Sequence, residues 1–525
     1  MKSVFAGRTI AVVNDLSRDE QLYLYRKTAQ LKKKYLSNED VSEFRISDPD
    51  MSAYLIFMEN STRTKESFRN AVQFHDIKLN VFDPGTSSCT KQESFSDTIK
   101  MLFGYSKRSL FIMRTGEEGV CHFLEEELGE YAHKMSYDKA AFLNGGDGKH
   151  EHPTQEFLDE FTFLEKKDWD NDEIHIVLTG DLYHGRTAHS KVDGLKIFKK
   201  VRVDLVAPPE LAMPDYYERR MIDNGFDLRI FETIEDYLNQ DDVADIWYFT
   251  RLQLERMGDK VKEKEPQLRT AVTFRKEFLD KIPANSKFYH PLPRHKVYPV
   301  IPDFLDHTSY NGWDEQSVNG FFTRTIEIAM VGGKVGSDFD GLGLESHKKE
   351  KNFIEKVPLT RKSHVEDHYK VGIKPVNSGI VIDHIGSGED LETIWNQIDK
   401  IRRILKLNCR SSHGVFHSND RTVYKGIISL PDILELSDTE IKKLAAIAPE
   451  CTLNIIKDES VLEKFRLHMP PQIYNFEEIS CKNENCISHP EKHQHVNTYF
   501  LRSKDSRFVC KYCEKSHSFE DIWDI

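Results

Sequence analysis

The 525-residue sequence predicts an α/β chain: two doubly wound parallel-sheet domains, then an α+β domain and a small cysteine-bearing β module. Three observations predict it. Short apolar runs alternate with helical periods through residue 331, a Gly- and charge-rich break follows, and four of the eight cysteines cluster in two pairs near the C-terminus.

Residues 11–36 read as an amphipathic helix starting near Asp15 or Ser17 and ending in the basic run Lys32–Lys34. "AYLIFM" (Ala53–Met58) reads as a buried strand feeding a helix, in which Phe68, Ala71, Val72 and His75 recur at three- and four-residue steps. "KLNVFDP", "SLFIMR" and "KAAFLNGGDG" repeat the run-then-turn theme of a parallel sheet. A helix from Glu156 joins this half to a second set: "EIHIVLTGDL", "VRVDLVAPP", "FDLRIFET", "ADIWYFTR" and "KFYHPLPR". Each run ends in polar or turn residues, where an open α/β sheet places its ligand loops. "EQSVNGFFTRTIEIAMVGG" is a closing helix. Gly332–His364 lacks a sustained period and reads as a linker. Beyond it, "SGIVIDHI", "CRSSHGVFHS" and "YKGIISLP" read as strands, with helices at "ETIWNQIDKIRRILK" and "DTEIKKLAAIAP".

With 39% hydrophobic and 30% charged residues the chain can bury large cores. A net charge of −13 argues against a general nucleic-acid binder, although it permits a local basic pocket for a small anion. No apolar run of ~18 residues occurs, so no membrane span is expected, and the N-terminus lacks a signal peptide's apolar core. Cys89, Cys121, Cys409 and Cys451 are scattered, which fits a reducing cytoplasm and one metal site rather than a disulfide scaffold.

The densest chemical signal is Ser61-Thr62-Arg63-Thr64, where a helix begins. A helix N-terminus offers unpaired N–H groups and partial positive charge; three hydroxyls and a guanidinium beside it suit a phosphate dianion. Taken alone, the tetrapeptide is equally a capped helix with an exposed arginine. His152 and Gln155 in "HPTQ", Arg186 in "GDLYHGRT", Arg251 and Gln253 in "TRLQ", and Leu292-Pro293 in "HPLPR" sit at further strand ends. Gly180 and Gly185 do not match the dinucleotide-binding fingerprint.

Together, "STRT", "MR", "HPTQ", "GDLxxGRT", "TRLQ" and "HPLPR" resemble the aspartate/ornithine carbamoyltransferase superfamily across residues 1–331. The resemblance implies the carbamoyltransferase fold and, at matching positions, the following roles. Ser61, Thr62, Arg63 and Thr64 hold the phosphate of carbamoyl phosphate, and Arg114 meets phosphate and carbonyl oxygen. Thr64, Arg63 and His152 polarise the carbonyl, and Gln155 accepts from the carbamoyl amide. Ser87 and Lys91 match a loop inserted into a neighbouring subunit's site, which implies active sites between subunits of a catalytic trimer. Arg186, Arg251 and Gln253 can grip the two carboxylates of aspartate, while Leu292 and Pro293 place its amine. An ornithine enzyme carries a Cys-Leu-Pro turn and a Ser-Met-Gly loop; this chain has His290-Pro291-Leu292-Pro293-Arg294 and no Ser-Met-Gly after Trp247. The alternatives are another amine acceptor such as ornithine, or a decayed regulatory scaffold.

Cys481, Cys486, Cys510 and Cys513 form C-x4-C-x23-C-x2-C, two thiolate pairs able to close a tetrahedral, structural Zn²⁺ site. His489, His493 and His495 lie between the pairs but are not needed as ligands, and no redox or organic cofactor is expected. This segment, with "SGIVIDHI" and "APECTLNIIKDESVLEKF", resembles the aspartate carbamoyltransferase regulatory chain over about residues 369–525. The resemblance implies nucleotide effectors such as CTP and ATP, with Asp383, His384 and Lys464 at contacting positions. Otherwise Asp383-His384 is a strand-end turn and Lys464 a helix-surface lysine. Ser429 stands where the family pattern has a base-reading lysine, Lys425 being the nearest. The expected division is a carbamoyl-phosphate domain at 1–155 completed by helix 314–331, an aspartate domain at 156–313, a linker at 332–368, a nucleotide-binding-like domain at 369–466 and a zinc domain at 467–525. The expected enzyme is cytoplasmic, makes N-carbamoyl-L-aspartate for pyrimidine biosynthesis, and is a homo-oligomer built on one or two trimers.

Overall fold

A computed structural model describes residues 3–82, 94–253, 257–344, 353–359, 376–407, 411–418, 422–431 and 433–524. They fall into two compact units, Met1–Glu345 and Ser346–Ile525.

The first unit holds two parallel sheets. One orders its strands Lys78–Phe82, Met51–Phe57, Arg108–Thr115, Ala141–Asp147, with Ile10 bridging Leu143 beyond the last. The other runs Asp227–Phe231, Lys200–Val206, Glu173–Thr179, Ile246–Phe249, Lys287–Tyr289. Every residue of Met51–Phe57 and Ile246–Phe249 is buried, which explains their unbroken apolar runs. Chain order reverses between Met51–Phe57 and Arg108–Thr115 in the first sheet and between Glu173–Thr179 and Ile246–Phe249 in the second. Ligands of open α/β sheets bind outside the carboxyl ends of strands at such points.

The N-terminal helix, Arg18–Leu36, starts at a Ser17–Glu20 capping box, in line with its sequence. Helix Pro153–Lys166 is buried at every position from Pro153 to Leu164, because it packs between elements of both sheets. Helix Trp313–Val331 returns from the second sheet to pack on Pro153–Lys166, Thr62–Phe74 and Arg18–Leu36. The linker's first residues stay on this unit. Val335 is buried, Phe339 makes edge contacts with Phe5 and Tyr23, and Asp338 accepts from Tyr23 Oη (2.5 Å) and Lys27 Nζ (2.7 Å).

The second unit has a six-stranded antiparallel sheet ordered Ile354–Lys356, Ser460–Leu467, Thr452–Lys457, Gly379–Ile385, Tyr424–Pro431, Ser412–His417. Helices Leu391–Ile404 and Asp438–Ile447 supply Ile394, Ile398, Ile401 and Leu444 to the core it shares with Ile380, Ile382, Ile428 and Leu430. Lys464 lies on strand Ser460–Leu467, which corrects the helix-surface alternative. Asp458 and Glu459 both adopt positive φ (50° and 61°), making the tight turn that folds "SVLEKFRL" back on Thr452–Lys457. A smaller antiparallel sheet follows, Gln472–Tyr474, Tyr499–Arg502, Phe508–Cys510, Ser516–His517.

Candidate active site and metal centre

Helix Thr62–Phe74 rises from the carboxyl end of strand Met51–Phe57, with Phe68, Ala71 and Val72 buried beneath it. Ser61 is its N-cap in extended conformation, but its side chain makes no capping hydrogen bond. Ser61 thus leaves the first-turn N–H groups without an N-cap side chain, and Thr62 and Arg63 stand exposed at the tip while Thr64 points inward, buried.

The helix tip opens on a cleft of about 1750 Å³ lined from both sheets. Arg114, ending the next strand, donates from Nη1 to Gly145 O at 2.8 Å. His152 is buried, with Nε2 3.4 Å from Thr64 Oγ1. Burial, reinforced by the Arg114, Arg324 and Arg186 guanidiniums, pushes the His152 pKa well below the ordinary imidazole value, so the ring is neutral. Ser61, Thr62, Arg63 and Gln155 line the same cleft.

From the second sheet come Arg186, Arg251 and Gln253. Arg186 Nη1 donates to Gly148 O (2.9 Å) and Gln253 Nε2 to His184 O (3.1 Å). The turn Pro291-Leu292-Pro293 completes that wall. Its Leu292 N–H donates to His290 Nδ1 at 2.7 Å, a bond that needs a neutral imidazole. Burial, then Arg294, Arg63 and Arg251, lowers the His290 pKa to about 3. Ser87 and Lys91 lie outside the described residues; the other twelve expected catalytic and substrate-binding residues line this one cleft.

Sequence reasoning missed several residues here. Glu59 Oε2 lies 3.1 Å from Arg186 Nη2 and 3.6 Å from Arg114 Nε, joining one arginine from each sheet. The buried Asp181 accepts from the backbone N–H groups of His184 (3.0 Å) and Gln253 (3.1 Å), fixing both second-sheet loops. Gly146 (φ +114°) is required because a Cβ there would stand 2.9 Å from Arg114 Nη1 and 3.2 Å from Arg186 Cζ. Asp181 lies inside "GDLYHGRT" and Gly146 inside "KAAFLNGGDG", but neither stretch by itself gives them a role, and Glu59 sits directly after an expected strand end.

In the second unit, Cys481, Cys486, Cys510 and Cys513 are fully buried, with their sulfurs within 4.8 Å of one another. The Cys481–Cys513 and Cys486–Cys510 separations are 3.7 and 3.8 Å. Four thiolates ~2.3 Å from a tetrahedral Zn²⁺ have edges of ~3.8 Å, whereas a disulfide would bring sulfurs to ~2.05 Å. The residues fit a structural metal. His517 Nε2 lies 3.4 Å from Cys481 Sγ and Ser488 Oγ 3.2 Å from Cys486 Sγ, outer contacts that the spacing did not disclose.

The expected effector residues are less tightly gathered. Asp383 is ion-paired to the buried Lys425 (2.8 Å) and His384 Nδ1 lies 3.1 Å from Thr452 Oγ1. Lys464 is in register with Asn454, which pairs with Val381, two residues before Asp383. A cavity of about 630 Å³ is lined by His384, with neither Asp383 nor Lys464.

Family models match across the chain: aspartate/ornithine carbamoyltransferase, carbamoyl-P binding domain, at residues 8–165; its Asp/Orn binding domain at 172–325; and the aspartate carbamoyltransferase regulatory chain's allosteric domain at 371–468 and metal binding domain at 471–523. The chain is 54% identical to the protein PyrBI of Thermotoga maritima over the full length of both, and 49% identical to that of Treponema denticola, covering 99% of it. It superposes on aspartate transcarbamoylase from Trypanosoma cruzi in complex with N-(phosphonacetyl)-L-aspartic acid with a TM-score of 0.53 at 27% identity, covering 63% of this chain and 97% of that one. The geometry of the cleft, the four-thiol cluster and these likenesses agree: the chain belongs to the aspartate carbamoyltransferase family, with catalytic and metal-bearing regulatory modules in one polypeptide.

Proposed function

We propose that this aspartate carbamoyltransferase, which transfers the carbamoyl group of carbamoyl phosphate to L-aspartate in pyrimidine biosynthesis, does so in the cleft between its two parallel sheets. The observation that carries the residue assignment is the uncapped helix tip at Ser61, facing Arg114 and His152 across one cavity. Ser61, Thr62, Arg63 and Thr64 bind the phosphate with the helix N–H groups, and Arg114 bridges phosphate and carbonyl oxygen. The aspartate amine attacks the carbamoyl carbon; the C–N bond forms and negative charge gathers on the carbonyl oxygen. Arg63, Arg114, Thr64 and neutral His152 donate to that oxygen, and Gln155 accepts from the carbamoyl NH₂. The C–O bond to phosphorus then breaks, and the leaving phosphate takes the amine's proton, so the products are N-carbamoyl-L-aspartate and hydrogen phosphate.

Arg186, Arg251 and Gln253 hold the aspartate carboxylates, and the Leu292-Pro293 turn aims the amine. Ser87 and Lys91 of a neighbouring subunit complete the site, in a trimer. Phosphate release is expected with aspartate and not with ornithine; the reverse preference would refute the acceptor assignment. Because His152 is neutral at assay pH, His152→Asn should lower kcat roughly 10²-fold or more while its pH profile runs parallel to that of the parent. A shifted acidic limb would show that the imidazole titrates during turnover.

The metal is zinc, the regulatory domain takes in the strand Ile354–Lys356 that pairs with Phe465–Leu467, and nucleotides such as CTP and ATP bind near Asp383, His384 and Lys464. The compartment is the cytoplasm, a reading supported by the six described cysteines, none of which is in a disulfide. Among the described residues no helix is long and apolar enough to cross a membrane.

A further inference from the structure

Beneath the cleft lies a buried polar assembly that the reaction as described does not use. Asp159, on helix Pro153–Lys166, is completely buried. Its Oδ1 accepts from the side-chain amides of Gln155 (2.9 Å) and Gln316 (2.6 Å). Its Oδ2 accepts from Lys191 Nζ at 2.9 Å. Lys191, with no exposed side-chain surface, also donates to Glu156 Oε2 (2.6 Å) and lies 4.3 Å from the Tyr248 ring centroid. Gln316 in turn accepts the backbone N–H of His290 on its Oε1 at 2.9 Å, holding the start of the turn that carries Leu292 and Pro293.

A glutamine amide has a donating and an accepting end, and its partners decide which end faces where. An ammonium can only donate and a carboxylate can only accept. Lys191 therefore demands an acceptor at the atom of residue 159 that faces it, and Asp159 still has an acceptor left for both glutamines. Both NH₂ groups are drawn inward. Gln316 is left with its oxygen for His290, and Gln155 with its oxygen for the cleft. We infer that Lys191 is a positioning residue for carbamoyl transfer, acting through Asp159 to fix which end of the Gln155 and Gln316 amides faces the substrates. The inference rests on Gln155 accepting from the carbamoyl amide. It adds one polar assembly that aligns a residue of the carbamoyl side and the turn of the aspartate side together.

The test is a mutant cycle on the full chain, read as kcat/KM for carbamoyl phosphate, KM for aspartate and melting temperature. In Asp159→Asn, Lys191 claims the amide oxygen and turns the new NH₂ onto two glutamine NH₂ groups; kcat/KM is expected to fall about 100-fold. Lys191→Gln can still donate to Asp159 and should cost less than about tenfold. In the double variant the amide introduced at position 191 can accept from the amide introduced at position 159. The oxygen of the latter is then free for both glutamines, so kcat/KM should recover to within about tenfold of the parent. A double variant as poor as Asp159→Asn, or poorer, overturns the inference, and so does a recovery of kcat/KM that merely follows a recovery of melting temperature, because restored buried charge balance alone would raise both together. Should Lys191→Gln fail to fold, Lys191→Met with Asp159→Asn replaces it and the same recovery is expected. Gln155→Ala separates the layers. An unchanged KM for carbamoyl phosphate there removes the substrate reading and this inference with it, whereas a raised KM without rescue in the cycle removes this inference alone.

Discussion

Arg114→Ala is expected to slow turnover about 10³-fold, the loss that follows when a preorganised donor is removed from a developing oxyanion. Its guanidinium is already aimed before substrate arrives: Nη1 is tied to Gly145 O, Nε faces Glu59, and only 12% of the side chain is exposed. A charge fixed in this way needs no reorganisation during the reaction, so its removal falls on the transition state more than on the ground state. The fold should survive, because strand Arg108–Thr115 is held by its ladders to Met51–Phe57 and Ala141–Asp147. Circular dichroism should be unchanged and kcat depressed. Arg63→Ala should likewise abolish turnover without unfolding the chain. Retention of most activity in either variant would contradict the phosphate cradle.

Cys481→Ser, or stripping the metal with a chelator, is expected to unravel residues 471–524 while leaving the catalytic cleft formed. The sheet there consists of strands of three, four, three and two residues, too short to pay for their own ordering. Structural zinc in small domains supplies ~10–16 kcal/mol of folding free energy. Limited proteolysis should open this segment first, and the solution mass should change more than kcat. A protease-resistant C-terminal segment with an unaltered oligomer would show that the thiols alone hold the module.

Much of the candidate site was legible because the residues that line its cleft follow strand ends, where apolar runs stop and helices begin. "STRT" and "HPTQ" are local signals of that kind. Glu59 was not legible because its meaning is its contact with Arg186, 127 residues away, and a carboxylate after a strand usually faces water. Lys191 sits in a helix whose sequence, "RTAHSKVDG", gives no sign that its lysine is buried. Burying it requires Glu156 and Asp159 from another helix, a condition set only in three dimensions. Lys464 suits a helix surface on sequence alone because "DESVLEKFRL" has apolar residues at steps that fit either element; the Asp458-Glu459 turn selects the strand instead.

The short strand Ile354–Lys356 has a consequence for how the chain tolerates being cut. It covers the outer rim of the six-stranded sheet, pairing with Phe465–Leu467, and all three of its residues are exposed, two of them charged. Brief, charged border strands discourage sheets from recruiting foreign strands. The connection between modules thus also serves as a guard against self-association, and a regulatory fragment begun at residue 369 would leave the backbone of Phe465–Leu467 bare and adhesive.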